Sequence, residues 1–268
     1  MQKFGLIFRH YVKRTFMHKG NLLAMLLLPT AIILLFAFVN DNFFAEEGLD
    51  PLFYGYNVIH TDLVIVNLLF FQLFGALNNV DSLHEALSTE SKWRLFAAPV
   101  NRKIYPLASM LASWIVSLLQ AIIVLLVTSV ILNVYWGNIF VNILALLGLS
   151  LFAQILGVLI FLFTKNNSQG QAIGFPLIFI IGGLSGIMIP IRNLIDHSIV
   201  DFIADWSPLQ LAMIAIREGG RFGMLNLAEG TYTGGDMSLA MRNVLIVFTM
   251  AAVIGIVSFT IGKVKKAW

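Results

Sequence analysis

The chain contains no cysteine. That absence excludes a disulfide framework, a cysteine-ligated zinc site and a thiol nucleophile, and it leaves the redox compartment unspecified. Charge is scarce as well. Only 12 % of the 268 residues are Asp, Glu, Lys or Arg, where soluble domains carry about a quarter. No P-loop occurs: amides that cradle phosphate need Gly, four residues and then Gly-Lys-Ser or Gly-Lys-Thr, and the nearest string, Gly262-Lys263, lacks the upstream glycine and runs into Val264. Among the five histidines, His10, His18, His60, His84 and His197, no pair has the i, i+4 spacing that holds a metal on one helix face. Each reads as a lone surface histidine. No Gly-x-Ser-x-Gly elbow is present, and the carboxylates fall in loops on opposite sides of the hydrophobic stretches, which leaves little scope for acid-base pairs. The expectation is therefore no catalytic residue, no cofactor and no metal on this chain.

What the chain has is apolar length. Hydrophobic residues make up 59 % of it and the mean hydropathy is +0.87. Five stretches are free of charge for long enough to cross a bilayer, at 21 to 39, 63 to 80, 106 to 132, 139 to 163 and 171 to 191, and a sixth runs from Val244 to Gly262. A helix of about 19 residues is about 28 Å long, close to the hydrocarbon thickness of about 30 Å. The pattern predicts an all-α integral membrane protein with six transmembrane helices, forming a single domain over residues 1 to 268. The 17 Lys and Arg against 14 Asp and Glu give a pI of about 9.2, an excess too small and too dispersed for a nucleic-acid partner. The long polar front before the apolar run Leu22 to Val39, with no small-residue cleavage site after it, predicts that the first span stays attached.

Within residues 1 to 20, Phe4, Phe8, Tyr11, Val12 and Phe16 recur at helical spacing, with Lys3, Arg9, Lys13 and Arg14 on other sides. This is either an amphipathic interface helix or a basic flank that sets orientation. Counting Lys and Arg in alternate segments places thirteen on one side: five before the first span, four in the loop 81 to 105, Lys165, and three in the tail. The opposite side has none in 40 to 57, none near Asn133 to Asn138 and four (Arg192, Arg217, Arg221, Arg242) in the segment 192 to 242. The positive-inside rule then puts both termini in the cytoplasm. The cytoplasmic loop 81 to 105 keeps Leu83, Leu87, Trp93, Leu95 and Phe96, enough apolar residues for short helices that pack on something. The external segment 192 to 242 has apolar patches too short to span, at Ile199 to Ala204 and Leu209 to Ile216, which read as interfacial or re-entrant helices.

Inside the spans the polar residues are neutral: Gln72, Asn78, Asn79, Ser113, Ser117, Gln120, Thr128, Gln154 and Ser185. They either hydrogen-bond between helices or line a path for an amphiphile. Asp62 is expected at the external end of the second span, solvated by water or a headgroup. In the fifth span Gly182 and Gly186 form a small-xxx-small pair, a contact within the chain or across a dimer. Pro29 and Pro176 are expected to kink or begin helices, and Pro190 to end one.

Two local strings carry a resemblance. One is Glu90, Ser91, Lys92, Trp93, Arg94, Leu95, Phe96, Ala97, Ala98, Pro99, Val100, Asn101 and Arg102; the other is Leu184 to Pro190 followed by Trp206, Ser207, Pro208, Leu209 and by Ala215, Ile216, Arg217. With the order of spans, they resemble the membrane subunit of type-2 ATP-binding-cassette exporters, the permeases of drug, antibiotic, bacteriocin and polysaccharide export. The chain departs from many members in having His84-Glu85-Ala86 and Ser91-Lys92-Trp93 where those carry Arg-Glu-Arg and Gly-Thr before the coupling helix.

The resemblance implies a non-enzymatic permease in the cell membrane. It would pair with a second copy of itself or a related permease and with separate ATP-binding cassette ATPase subunits that carry the ATP and Mg. It further implies that Glu85, Glu90, Lys92, Trp93 and Arg94 contact the ATPase, the charged groups across a wet interface and Trp93 in a pocket; the alternative is that Trp93 and Arg94 anchor the loop at lipid headgroups. The implied cargo is an amphipathic or lipid-like molecule. An ion-coupled secondary transporter is disfavoured by the lack of intramembrane charge and of inverted repeats, and a lipid-modifying membrane enzyme by the lack of a nucleophile or metal constellation.

Overall fold

A computed structural model describes residues 2–17, 19–47, 52–53, 56–87, 104–186, 198–220, 225–226, 231–232 and 235–264. The architecture is helical. In chain order the helices are α1 (Gln2–Met17), α2 (Lys19–Glu47), α3 (Val58–Leu73), α4 (Gly75–Leu87), α5 (Ile104–Ile131), α6 (Ile139–Phe163), α7 (Asn167–Leu184), α8 (Ser198–Asp205), α9 (Pro208–Gly219) and α10 (Met237–Val264). Two minimal antiparallel hairpins, β1 (Leu52–Phe53) with β2 (Tyr56–Asn57) and β3 (Leu225–Asn226) with β4 (Thr231–Tyr232), complete it.

Among the described residues, four helical paths are long and apolar enough to cross a membrane: His60–Leu87, Ile104–Ile131, Ile139–Phe163 and Met237–Val264. A fifth arises if the pair α8 and α9, bent by 64° at Trp206 and Ser207, is counted as one. The apolar part of α2 among the described residues is the shorter run Met25–Val39. Helix α7 opens on Asn167, Ser168, Gln169 and Gln171, so its apolar part starts late, and it ends at Leu184. Pro29 and Pro176 lie inside α2 and α7 rather than at helix starts, as helices in a bilayer tolerate where neighbours satisfy the freed backbone groups.

Helix α6 is the centre of the bundle. It packs on α3, α4, α5, α7, α9 and α10, and 72 % of its apolar window is buried against 28 % for α10. Its sequence explains this: Ala145, Gly148, Ser150, Ala153 and Gly157 are small and buried, so neighbouring backbones come close. At Gly148 an added Cβ would lie 3.3 Å from both Val247 and Phe248 of α10. The periphery is apolar and open, with Leu27, Leu35 and Phe38 on α2, Leu126 and Val130 on α5, Phe179 on α7 and Leu245, Val253 and Ile256 on α10 exposed. Contiguous apolar surface on this scale belongs in lipid.

Helix starts follow their caps. Asn138 Oδ1 accepts from Phe140 N and Val141 N at the start of α6, Asn166 Oδ1 accepts from Gln169 N at α7, and Asp236 Oδ1 accepts from Ser238 N and Leu239 N at α10. Pro208 occupies the first turn of α9, where its missing N–H costs nothing. Helix α1 is amphipathic as its spacing predicts: Tyr11 is buried, Phe4, Ile7, Phe8 and Val12 pack on the core, Arg9 and Lys13 are exposed, and the helix lies against α5.

Candidate functional site

Charge alternation places the start of a loop at residue 81, but α4 continues as helix to Leu87. The reason is packing. Leu83, Ala86 and Leu87 are buried, and the polar residues of that turn have partners: Asp81 accepts from Gln171 Nε2, and His84 Nε2 lies 2.8 Å from Thr164 Oγ1 with its ring edge-on to Phe161 at 4.8 Å. The reading of every histidine as a surface residue is corrected here, because His84 and His60 are 3 % and 5 % exposed. His10 is exposed, and His18 and His197 lie outside the described residues.

Above this turn, α4 is seated by glycines. An added Cβ on Gly157 of α6 would stand 2.4 Å from Ala76 O. On α7, one on Gly170 would stand 2.4 Å from Val80 Cγ1 and one on Gly174 2.3 Å from Leu77 Cδ2. Gly170 and Gly174, four residues apart on one face of α7, form a small-xxx-small strip that brings helices together in the described region. Its signal was present in the sequence but lay in a polar segment. Of the pair expected to do this, Gly182 is buried within α7, while Gly186 follows the C-cap Ser185 with φ +73, in the left-handed region that ends helices.

A buried polar seam crosses the middle of the bundle. Asn79 of α4 donates to Gln154 O of α6 at 2.8 Å and accepts from Ser109 Oγ of α5 at 3.2 Å. Gln154 Nε2 donates to Ser117 Oγ of α5 at 3.1 Å, and beside it Trp114 Nε1 donates to Ser150 Oγ at 2.9 Å. The neutral polar residues therefore divide: Asn79, Ser117 and Gln154 bond between helices, whereas the hydroxyls of Thr128 and Ser185 return to carbonyls of their own helix, Val124 O and Gly182 O. Ser109, in the second turn of α5 and not among the polar residues singled out from the sequence, belongs to the seam. Gln72 is fully buried, and neither atom of its amide has a partner among the described residues.

At the other end of the bundle Asp62 meets Arg217 of α9, Oδ1 to Nε at 3.0 Å, so the carboxylate is held by a cation as well as by solvent. The turn between α5 and α6 packs there too. Gly137, with φ +54, sits so close to Gly220 that a Cβ would fall 2.2 Å from Gly220 Cα, and Asp236 N donates to Glu218 Oε2 at 2.7 Å, tying α9 to α10.

Of the residues expected to contact an ATPase, Glu85 is on α4 and exposed. Glu90, Lys92, Trp93 and Arg94 lie outside the described residues, as does Pro190.

The fold and the seam define a multi-pass membrane protein with a packed helical core and a neutral polar interior. The sequence model of the ABC-2 type transporter family matches residues 2–219, and the chain belongs to that family: it is the membrane domain of an ABC transporter, a permease. No curated protein matches the chain.

Proposed function

We propose that the chain is the permease subunit of an ATP-driven exporter in the plasma membrane, with both termini cytoplasmic and six spans. It works as a pair of permeases, identical or related, together with two separate ATP-binding subunits on which ATP and Mg are bound. The cargo is an amphipathic or lipid-like molecule, such as a drug, antibiotic, peptide or glycolipid, moved out of the cytoplasm or the inner leaflet.

One observation supports this reading above the rest. Helix α4 ends at Leu87, three residues before Glu90, and is locked into the bundle by Gly157, Gly170 and Gly174 and by the Asn79 seam. A helix rises about 1.5 Å per residue and behaves as a stiff rod over three or four turns, so a push on the strip Glu90 to Arg94 is delivered to α5, α6 and α7 together. Glu85, exposed on the last turn of the same helix, extends that contact surface. Interfaces of this kind depend on a few buried anchors, and Trp93 with Arg94 has the composition of one.

The test is purification from native membranes in mild detergent with identification of bound subunits, followed by transport and ATPase assays of a Glu90→Ala, Trp93→Ala double variant. Recovery of a stoichiometric ATPase, and loss of transport-coupled hydrolysis in a variant that still inserts, is the expected result. Unchanged transport in the double variant removes the coupling role. A chain recovered alone, and driven by an ion gradient, removes the exporter reading.

A further inference from the structure

Between the bent pair α8–α9 and the first turns of α10 lies a cavity of about 470 Å³. Leu211 and Ile214 of α9 and Leu239 and Ile246 of α10 form its apolar wall, and one neutral polar side chain, Asn243 of α10, lines it with them. Asn243 is 3 % exposed, and its amide makes no hydrogen bond among the described residues. The other lining residues, Asp205, Trp206 and Arg242, are exposed. The two charged groups among them meet solvent and select no occupant. The surfaces on either side face lipid: Phe202 and Ile203 are exposed on α8, and Met241 and Leu245 on α10.

Depth decides what meets the Asn243 amide. The uncharged apolar run of α10 begins at Val244, directly after Arg242 and Asn243. Asn243 lies six residues past Met237, the first residue of α10, or about 9 Å along the axis. The interfacial layer on each side of the hydrocarbon is about 5–8 Å thick. The amide therefore sits where headgroup gives way to hydrocarbon, the boundary that an amphipathic ring such as Trp206 also suits. At that boundary a glycerolipid carries its ester carbonyls, and its acyl chains begin. Ile246, about one turn further along α10, continues the apolar wall into the acyl region.

The possible occupants differ in what they satisfy. A wholly apolar one would leave the buried amide without an acceptor, which costs more than placing an apolar side chain there. A small soluble molecule could bond the amide but would leave the leucine and isoleucine wall uncovered. An acyl ester supplies an acceptor and an aliphatic chain one bond apart.

We propose that this cavity is a binding site for an acyl chain of a membrane glycerolipid, recognised at its ester linkage. Asn243 Nδ2 donates to the ester carbonyl, and the chain lies along Leu211, Ile214, Leu239 and Ile246. A lipid bound in this way braces α8–α9 against α10 from the membrane side. The site does not depend on the exporter reading, since it is complete in this one chain and needs neither ATP nor a second subunit.

The experiment is native mass spectrometry of the full-length protein, extracted in mild detergent and equilibrated with equal amounts of two phosphatidylcholines. One is ester-linked and the other is its ether-linked counterpart, with the same chains and headgroup but no carbonyl. The expected result is retention of the ester lipid over the ether lipid by roughly threefold, the usual weight of one neutral hydrogen bond in a membrane protein. Asn243→Leu, close in size and without the amide, should bring that ratio to one while lipid is still retained. Ile246→Trp, which fills the cavity and leaves the amide in place, should also bring it to one. Equal retention of the two lipids by the wild-type chain would mean that water or protein meets the amide, and it overturns the proposal with no variant needed. An ester preference that persists in Asn243→Leu, or in Ile246→Trp, overturns it as well.

Discussion

Truncating Asn79 to alanine tests the polar seam directly. The side chain is fully buried and makes two bonds to other helices, donating to Gln154 O at 2.8 Å and accepting from Ser109 Oγ at 3.2 Å. Alanine keeps the Cβ, which is the Asn79 atom nearest the Cβ that Gly157 lacks, so the substitution removes the amide and leaves the close helix contact in place. Interhelical hydrogen bonds in membrane proteins average about 0.6 kcal/mol and reach about 1.7. Two of them, with the small void left by the amide, give a loss of about 1–3 kcal/mol. Equilibrium unfolding in mixed micelles, followed by far-UV circular dichroism, reads this number. A double-mutant cycle with Ser109→Ala isolates one bond, with an expected coupling of about 0.5–1 kcal/mol. Additivity of the two single variants within about 0.3 kcal/mol would show that the 3.2 Å contact carries no energy, and the seam would then be an accident of packing.

Two glycines on helices that share the core give opposite expectations. Gly157→Ala places a methyl 2.4 Å from Ala76 O, a backbone atom that yields only if α4 moves, so overpacking of about 1–3 kcal/mol outweighs the roughly 1 kcal/mol of helix propensity that alanine adds. At Gly255 of α10 the nearest atom to an added Cβ is Ile155 Cδ1 at 3.6 Å, an ordinary contact, so Gly255→Ala should be neutral or gain up to about 1 kcal/mol in the same assay. The Asp62 and Arg217 side chains are 44 % and 24 % exposed, so Asp62→Asn should cost under about 1 kcal/mol and the loss should shrink as salt rises. The exchange Asp62→Arg with Arg217→Asp should restore most of what Asp62→Arg alone loses, and failure of that rescue would mean the pair is a surface coincidence.

Much of the helical plan was legible because bilayer spans announce themselves by length. The stretches 106 to 132 and 139 to 163 coincide closely with α5 and α6, and 244 to 262 lies within α10, which starts two turns earlier at Met237, since uninterrupted apolar sequence over some 20 residues has few other folds. The amphipathic character of α1 was equally readable from Phe4, Phe8, Tyr11 and Val12. What failed did so for a common reason. Asp81 and His84 mark a loop by composition, yet Gln171 and Thr164 satisfy them and the helix runs on, and no local rule can see a partner 80 or 90 residues away. Likewise Gly170 and Gly174 are disguised by the polar start of α7. The bent pair α8–α9 was recognisable from two apolar patches too short to span, but the bond from Arg217 to Asp62, 155 residues earlier in the chain, was not.

The break at Phe74 connects these features. Helices α3 and α4 make one apolar path from His60 to Leu87, yet the ladder is interrupted there, with Phe74 N bonded to Phe71 O and both Leu77 N and Asn78 N bonded to Phe74 O. No proline lies in the stretch. Gln154 Nε2 and Ser117 Oγ stand 2.6 and 2.8 Å from where a Cβ on Gly75 would be, so the polar seam occupies the space beside the backbone at the break and only glycine fits there. On α7, Phe175 and Phe179 meet the Phe74 ring edge-on at 5.9 and 6.1 Å and hold the break in place. Below it, α4 is gripped by Gly157, Gly170 and Gly174; above it, α3 answers to α9 through Asp62 and Arg217. The two half-helices are thus anchored to different neighbours, α4 to α6 and α7 and α3 to α9. Gln72, whose amide has no partner among the described residues, lies one turn from this break.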